Sequence, residues 1–210
     1  MKRLIYGCLP AMIWAVAAAA QSTDLAPDVL AKKVTEEVLT IVRADKDIQA
    51  GNHKKILDLV EAKVLPHFNF TRMTRLAVGA PWRQASSAQQ QSLTNEFRML
   101  LVHTYTSAFT QYRDQVVEYK PLKLQTGDTE VMVRSLIRQK GGADPIDINY
   151  TMEKTDAGWK VYDVTIAGVS LVQNYRSTFA SEIQKSGIDG LITTLTNKNK
   201  TLSQNQAATK

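Results

Sequence analysis

The hydrophobic period of this sequence changes twice, and that change limits the fold more than any other feature. Up to about residue 115, apolar side chains recur every three or four positions, as they do on one face of a helix. From Gln115 to Ile166 they recur at every second position, as on a strand, and after Ile166 the helical spacing returns. Helices, then a run of strands, then helices again are typical of an α+β domain.

Three short helices are predicted in the front part of the chain. A first amphipathic helix is expected from Asp28 to Ala44. Asn52 is a suitable N-cap for a second helix, which Pro66 ends, and a third, shorter helix ends at Gly79.

The strongest helix signal follows this front part. Ser87 and Gln90 form an S-x-x-Q capping box, which marks the start of the helix. Behind it a broad and partly aromatic stripe keeps the helical spacing, and it consists of Leu93, Phe97, Leu100, Leu101, Tyr105, Ala108, Phe109 and Tyr112. A long helix packed on a sheet explains such a stripe without any ligand.

The middle segment predicts three or four antiparallel strands in a meander with one polar face. Residues 130–138 and 146–153 alternate in polarity, with a Gly141-Gly142-Ala143-Asp144 turn between them. Asp156-Ala157-Gly158 then turns the chain into a strand from Trp159 to Ile166. A long helix laid across a curled antiparallel sheet forms a cone, and such a cone can enclose a cavity.

The first 20 residues have the pattern of a secretory signal. Lys2 and Arg3 precede an apolar run from Leu4 to Val16, and four alanines at 17–20 give an A-x-A-like cleavage site. The run is shorter than the roughly 20 residues that a spanning helix needs, so we expect cleavage rather than anchoring. The loss of Lys2 and Arg3 lowers the formal charge from +6 to +4. We expect a free protein in the periplasm of a Gram-negative cell.

The remaining chain is expected to form a single domain over residues 21–200. It is divided into a helical front part of about 28–80, a helix-plus-sheet part of about 87–166 and C-terminal helices of about 168–196. Val169 is expected in the first of these C-terminal helices, which Gly187 ends, and residues 201–210 form a polar, frayed tail. The only cysteine, Cys8, lies in the leader, so the mature domain has neither a disulfide nor a cysteine-ligated zinc site.

Catalytic patterns are scarce. His53, His67 and His103 lie in three different predicted helices or helix ends without metal-ligand spacing, and the glycines form no nucleotide-binding motif. We therefore expect no metal, no cofactor and no catalytic residue. One enzyme alternative stays open, in which Asp163 or His103 acts as a base in an apolar cavity; the other interpretation of Asp163 is a bond to a nearby backbone amide. Because basic residues are spread along the helices of a mildly charged domain, no nucleic-acid partner is expected.

One stretch reads Gly158-Trp159-Lys160-Val161-Tyr162-Asp163-Val164 and continues from Ile166 to Arg176 and Phe179. It resembles the signature of the MlaC family, the toluene-tolerance phospholipid-binding proteins. Further matches, in the family's order, are residues 65–70, residues 76–79 with Trp82, Arg83 and Ala85, the helix start at 89–97, and residues 187–191. Ala167 departs from the pattern, because many members carry an acidic residue before Gly-Val-Ser. The resemblance covers about residues 30–195.

The resemblance implies an NTF2-like or cystatin-like fold, with a curled antiparallel sheet covered by a long helix and an added helical subdomain. It also implies a monomeric periplasmic shuttle that carries a phospholipid as cargo, maintains outer-membrane lipid asymmetry and is not an enzyme. The implied partners are an outer-membrane lipoprotein complex and an inner-membrane ABC transporter with an MCE-domain protein. Two other classes stay open: an NTF2-like periplasmic enzyme acting on a small apolar substrate, and an interaction module with a solid core.

A lipid pocket of this kind should be deep and apolar, because acyl tails offer no hydrogen bonds. We expect the lining to come from strands and the long helix, with Leu76, Val78, Val169 and Val172 closing the mouth and residues 79–87 as its lip. The predicted strand and long-helix positions are Val133, Ile148, Tyr150, Tyr162, Val164, Phe97, Leu101 and Tyr105. Ordinary core packing is the alternative for each of them.

Overall fold

A computed structural model describes residues 25–106, 115–139 and 144–208. Within these ranges, five α-helices and two short 3-10 turns precede a five-stranded sheet, and one long helix follows it. The α+β order expected from the hydrophobic period is therefore confirmed. The predicted signal at residues 1–20 and the Gly141-Gly142-Ala143 turn lie outside the described residues. Within the described ranges, no helix has the length and apolar character needed to cross a bilayer.

The front part contains the three predicted helices, the second of which ends at Lys63 before the expected stop at Pro66, and one short helix that was not predicted. Helix α1 spans Pro27–Ala44, α2 spans Lys46–Gln49 and α3 spans His53–Lys63. The Asn52 side chain accepts a hydrogen bond from the backbone N–H of Lys55, which is the N-cap predicted for α3. A 3-10 turn follows at Leu65–His67.

Helix α4 spans Phe70–Val78 and α5 spans Ser87–Tyr105, with a 3-10 turn at Ala80–Arg83 between them. Gly79 ends α4 in the left-handed region, at φ 72°. The capping box of α5 is formed by Ser86 and Gln89, one residue earlier than predicted, because Ser86 has the extended backbone of an N-cap. The described part of this helix ends at Tyr105. The predicted stripe residues Ala108, Phe109 and Tyr112 lie outside the described residues.

The sheet is an antiparallel meander of five strands in the order β1-β2-β3-β4-β5. Its strands are Val116–Tyr119, Glu130–Arg138, Ile146–Thr155, Gly158–Ile166 and Val169–Ser170. A register shift between Thr151 and Met152 leaves Tyr162 as an extra residue in β4, a β-bulge. The free edge of β4 is covered by β5 at one end and by Phe68, which bridges to Val161, at the other.

The last helix, α6, spans Leu171–Ala208 and is interrupted at Gly187, whose backbone is not helical. The predicted break at Gly187 is confirmed, but Val169 lies in β5 rather than in a helix. The expected frayed tail was also wrong, because the second half of α6 lies along α5. There Asn199 donates to the backbone oxygen and a carboxylate oxygen of Glu96, and Gln206 donates to the backbone oxygen of His103.

Buried side chains form two separate cores. The main core joins α4, α5, α6 and the inner face of the sheet, and includes Phe97, Val133 and Phe179. The front core joins α1, α2 and α3, and from α5 it takes Val102. The two cores meet along one boundary, and an apolar cavity lies there.

Candidate functional site: an apolar cavity between the two cores

The cavity has a volume of about 370 Å³ and opens to the surface. This volume falls in the range of roughly 300–1,000 Å³ that is usual for sites that hold small molecules. Helix α1 forms one wall, α4 and α5 form a second, and the inner face of the sheet forms the floor. The wall includes Leu30, Ala31, Val34, Val38, Phe68, Met73, Leu101, Val117, Ile137, Ile148, Met152, Val161 and Ile166.

Alternation and helical spacing explain why apolar side chains meet at this place. Ile148, Tyr150 and Met152 lie on one face of β3, since side chains of a strand alternate between its two faces. The bulge at Tyr162 shifts the alternation of β4, so that Val161 and Val164 both reach the cavity although they are three residues apart. The sheet therefore presents a continuous apolar floor.

Few polar side chains line the wall, and a hydrogen-bonded cluster beside it joins α1 to the sheet. The Tyr119 hydroxyl donates to the backbone oxygen of Ala31 over 3.1 Å and lies 2.7 Å from the hydroxyl oxygen of Thr35. Since Tyr119 donates to Ala31, Thr35 is the donor of the second bond. These two bonds tie α1 to β1 at the side of the cavity.

The titratable groups of this region are neutral at neutral pH. Burial raises the pKa of Tyr119 and of Tyr150, so both phenols keep their protons. Burial also lowers the pKa of His67, with the charge of Lys160 acting in the same direction and Glu37 opposing it. The wall that an occupant would contact is therefore apolar and uncharged.

Five of the predicted lining residues line this cavity: Leu101, Tyr105, Ile148, Tyr150 and Val164. Four others are packed inside the main core instead: Val78, Phe97, Val133 and Val172. Phe97, for example, makes edge-on contacts with Tyr175 and Phe179 at ring distances of 5.1 Å. For all of these residues, contact with a ligand stays a prediction.

Three predicted positions lie elsewhere. The hydroxyl of Tyr162 donates to Glu130 over 2.9 Å, and its ring lies under the guanidinium of Arg72. Val169 is exposed at 55%, because it belongs to the short edge strand β5. Leu76 faces a second concavity, and none of residues 79–87 lines the apolar cavity, so they do not form its lip.

Sequence reasoning missed the contribution of α1. Leu30, Val34 and Val38 line the cavity, and all three belong to the apolar stripe that predicted the helix. A stripe reports which face of a helix is buried, but it does not report what that face is buried against. Met73 on α4 was missed for the same reason, and Ile137 was missed because alternation on β2 likewise does not report what a face is packed against.

The two candidate bases of the enzyme alternative do not face the cavity. Asp163 accepts hydrogen bonds from the hydroxyl of Ser170 and from the backbone N–H of Val172, over 3.1 Å for the latter, and so caps the start of α6. Nδ1 of the buried His103 lies 2.9 Å from a side-chain oxygen of Gln206. The interpretation of Asp163 as the hydrogen-bond acceptor of a backbone amide is confirmed.

Residues 32–197 of the chain match the family model described as MlaC protein. The chain belongs to the MlaC family. The resemblance read from the separated motifs is thereby confirmed. The five-stranded curled sheet with its long C-terminal helix is the α+β fold expected from it.

Two relatives in the MlaC family have descriptive names. The intermembrane phospholipid transport system binding protein MlaC of Haemophilus influenzae is 24% identical over 172 residues, which make up 81% of this chain and 80% of that protein. The toluene tolerance protein ttg2D of Pseudomonas putida is 23% identical over 164 residues, or 78% of this chain and 75% of that protein.

A solved structure has the same fold. It is the phospholipid-binding protein from Ralstonia solanacearum in complex with a phospholipid, and it superposes with a TM-score of 0.80. The two chains are 37% identical, and the match covers 85% of this chain and 99% of the other.

Proposed function

We propose that this protein binds a phospholipid in the cavity between its two cores and carries it between membranes. The observation that carries the proposal is an apolar, uncharged cavity that opens to the surface. Its presence in a fold shared with a protein solved in complex with a phospholipid supports the choice of ligand. An acyl chain fits such a wall, while a charged head group stays in water at the opening.

The energetics of lipid tails explain why a carrier needs this cavity. A tail of about 16 carbons, at roughly 0.8 kcal/mol per buried CH₂, resists transfer into water by on the order of 12 kcal/mol. A protein that moves the lipid must replace the bilayer around the tail. The wall offers few directed polar contacts, so we expect weak preference for chain identity and head group.

The location and partners follow the same proposal. The secretory pattern of residues 1–20 and the family membership favour the periplasm, with the phospholipid as cargo and no cofactor. The name of the Haemophilus influenzae relative refers to intermembrane transport. We propose that this protein works as a monomer between an outer-membrane lipoprotein complex and an inner-membrane ABC transporter with an MCE-domain protein, and that it maintains outer-membrane lipid asymmetry.

Nothing in the described site favours the enzyme alternative. Asp163 and His103 are held by structural hydrogen bonds and do not reach the cavity. A base that acts on a substrate must lie within hydrogen-bond reach of the proton that it removes. We therefore propose binding and transfer as the function, without turnover.

Native mass spectrometry of the mature protein, purified from cells without detergent, tests the proposal. We expect added mass of phospholipid size, with a spread that matches acyl-chain heterogeneity. Ala31→Trp places a large ring in the cavity and should remove that mass, whereas Ala180→Trp on the exposed face of α6 should retain it. A bare polypeptide mass for the unmodified protein, without uptake from vesicles, would refute the proposal.

A further inference from the structure

A second concavity, of about 740 Å³, shares no lining residue with the apolar cavity. The C-terminal end of α4, the 3-10 turn at Ala80–Arg83, the start of α5 and the first half of α6 surround it. Three arginines line it, one each from α4, the turn and α6: Arg75, Arg83 and Arg176. We call this site the arginine concavity.

The backbone around the arginine concavity is fixed by packing and hydrogen bonds. The side-chain amide of Gln90 donates to the backbone oxygen of Trp82 over 2.9 Å and so holds the 3-10 turn against α5. Trp82 itself is almost completely buried and forms part of the wall. Gly79, in the left-handed region, leaves room for Arg176, whose guanidinium lies only 3.7 Å from the position that a Cβ would take. The arginines therefore project from a rigid frame.

These three arginines differ from the paired arginines of the chain. Arg72, Arg98 and Arg138 each form an ion pair with a glutamate. In contrast, the arginines of the concavity have no ion pair or side-chain hydrogen bond within the part of the chain that the structure describes, and no aspartate or glutamate lines the wall.

The C-terminal end of α4 compensates only part of the positive charge of the three arginines. The C-terminus of a helix carries a partial negative charge of about half an elementary charge, which favours the guanidinium of Arg176 beside Gly79. The same partial charge also acts on Arg75, which lies in the last turn of α4, so about half an elementary negative charge faces three guanidiniums. Positive charges in one concavity repel each other, and an anion bound between them removes the repulsion.

We propose that the arginine concavity binds a phosphate group. Guanidinium groups form paired hydrogen bonds with phosphate oxygens. Inorganic phosphate offers up to two negative charges and more than two acceptor oxygens to the three guanidiniums, and a lipid phosphodiester offers one negative charge and two free oxygens. The phosphate belongs either to a free solute or to an anionic lipid head group at a membrane surface. The site is separate from the apolar cavity and does not depend on the lipid in it.

Titration of the purified full-length mature protein with inorganic phosphate, followed by amide NMR and calorimetry, tests the assignment. We expect saturable binding that weakens about 10-fold or more in Arg83→Gln and in Arg176→Gln, because each removes a charge-assisted bond. Arg134→Gln is the matched control, because Arg134 is exposed on β2 and this substitution removes the same charge at a distant place. Thermal unfolding verifies that the variants fold, and unchanged copurified lipid separates this result from the cavity.

A second arm identifies the source of the phosphate. Co-sedimentation with phosphatidylglycerol vesicles that depends on Arg83 and Arg176, but not on Arg134, assigns the site to a lipid head group. A response to inorganic phosphate alone assigns it to a solute. The proposal is wrong if neither source binds, if all three variants weaken binding equally, or if only an acidic peptide binds through these arginines.

Discussion

Replacing Arg72 with methionine should destabilise the protein far more than replacing any exposed arginine. Arg72 leaves α4 and pairs with Glu153 on β3 and with Glu130 on β2. Its guanidinium also lies 3.6 Å from the centre of the Tyr162 ring on β4. One side chain therefore ties a helix to three strands, and methionine keeps the packing of its stem while removing the charge.

The magnitude follows from how exposed each partner is. The side chains of Arg72 and Glu153 are only 18% and 16% exposed, so their charge-assisted bond contributes about 1.5–3 kcal/mol. The Glu130 side chain is 52% exposed, and solvent screening reduces that pair to about 0.5 kcal/mol. The contact with the ring adds roughly 0.5–1 kcal/mol. Together the loss is about 3 kcal/mol, or a fall in Tm of about 6–12 °C for a chain of this length.

Thermal unfolding of lipid-free protein measures this loss, because a bound ligand would add stability of its own. Arg138→Met is the control: Arg138 pairs with Glu118 and both are about half exposed, so Tm should hardly change. Adding Glu153→Gln to Arg72→Met should restore part of the loss, since it removes the carboxylate left without its partner. Equal, small shifts for Arg72→Met and Arg138→Met would show that desolvation cancels the attraction and would refute the reasoning.

Three further predictions concern the turn after β4, the tie between α1 and the sheet, and the histidines. Ala167 has φ 48° in a two-residue hairpin loop, so Ala167→Asn should raise the free energy of unfolding by about 0.5–1 kcal/mol in urea denaturation; an unchanged midpoint would contradict this. Tyr119→Phe removes both hydrogen bonds to α1 and should speed transfer of a fluorescent phospholipid to vesicles, and an unchanged rate would show that α1 does not control exchange. Burial lowers the pKa of His53 and of His67, so the unfolded chain takes up protons first as the pH falls. The stability present above about pH 6.5 should therefore decline on acidification, and His53→Gln with His67→Gln should flatten that decline, as measured by Tm against pH.

Local chemistry made most of the fold predictable. The side-chain oxygen of Asn52 marks a helix start, and the positive φ of Gly79 marks a helix end. Strict alternation marks β2 and β3. The short strands β1 and β5 carry too few residues to show a period, and Val169 was assigned to a helix for that reason. The helical tail was missed because polar residues such as Asn199 stabilise it through bonds to α5, more than 100 positions away in sequence.

The candidate site was predictable only in part. Alternation placed Ile148 and Tyr150 on the inner face of the sheet, and both line the cavity. The same alternation placed Val133 on that face, but Val133 is packed inside the main core instead of lining the cavity. The Tyr162 side chain was expected to line the cavity, but the bulge at this residue turns its ring toward Arg72. A void between elements is set by three-dimensional packing, which no local pattern reports.

The position of the cavity between two cores bears on how the molecule unfolds. Helices α1 to α3 have a small core of their own, so with the cavity empty we expect them to open more readily than α5 and the sheet. An occupant touches Val38 and Val60 on one side and Met152 and Val164 on the other, so it joins the two units. Amide hydrogen exchange in α1 to α3 should then be faster in the empty protein than in the loaded one, while exchange in α5 and the sheet changes little. A bound phospholipid would therefore complete the packing between the two cores.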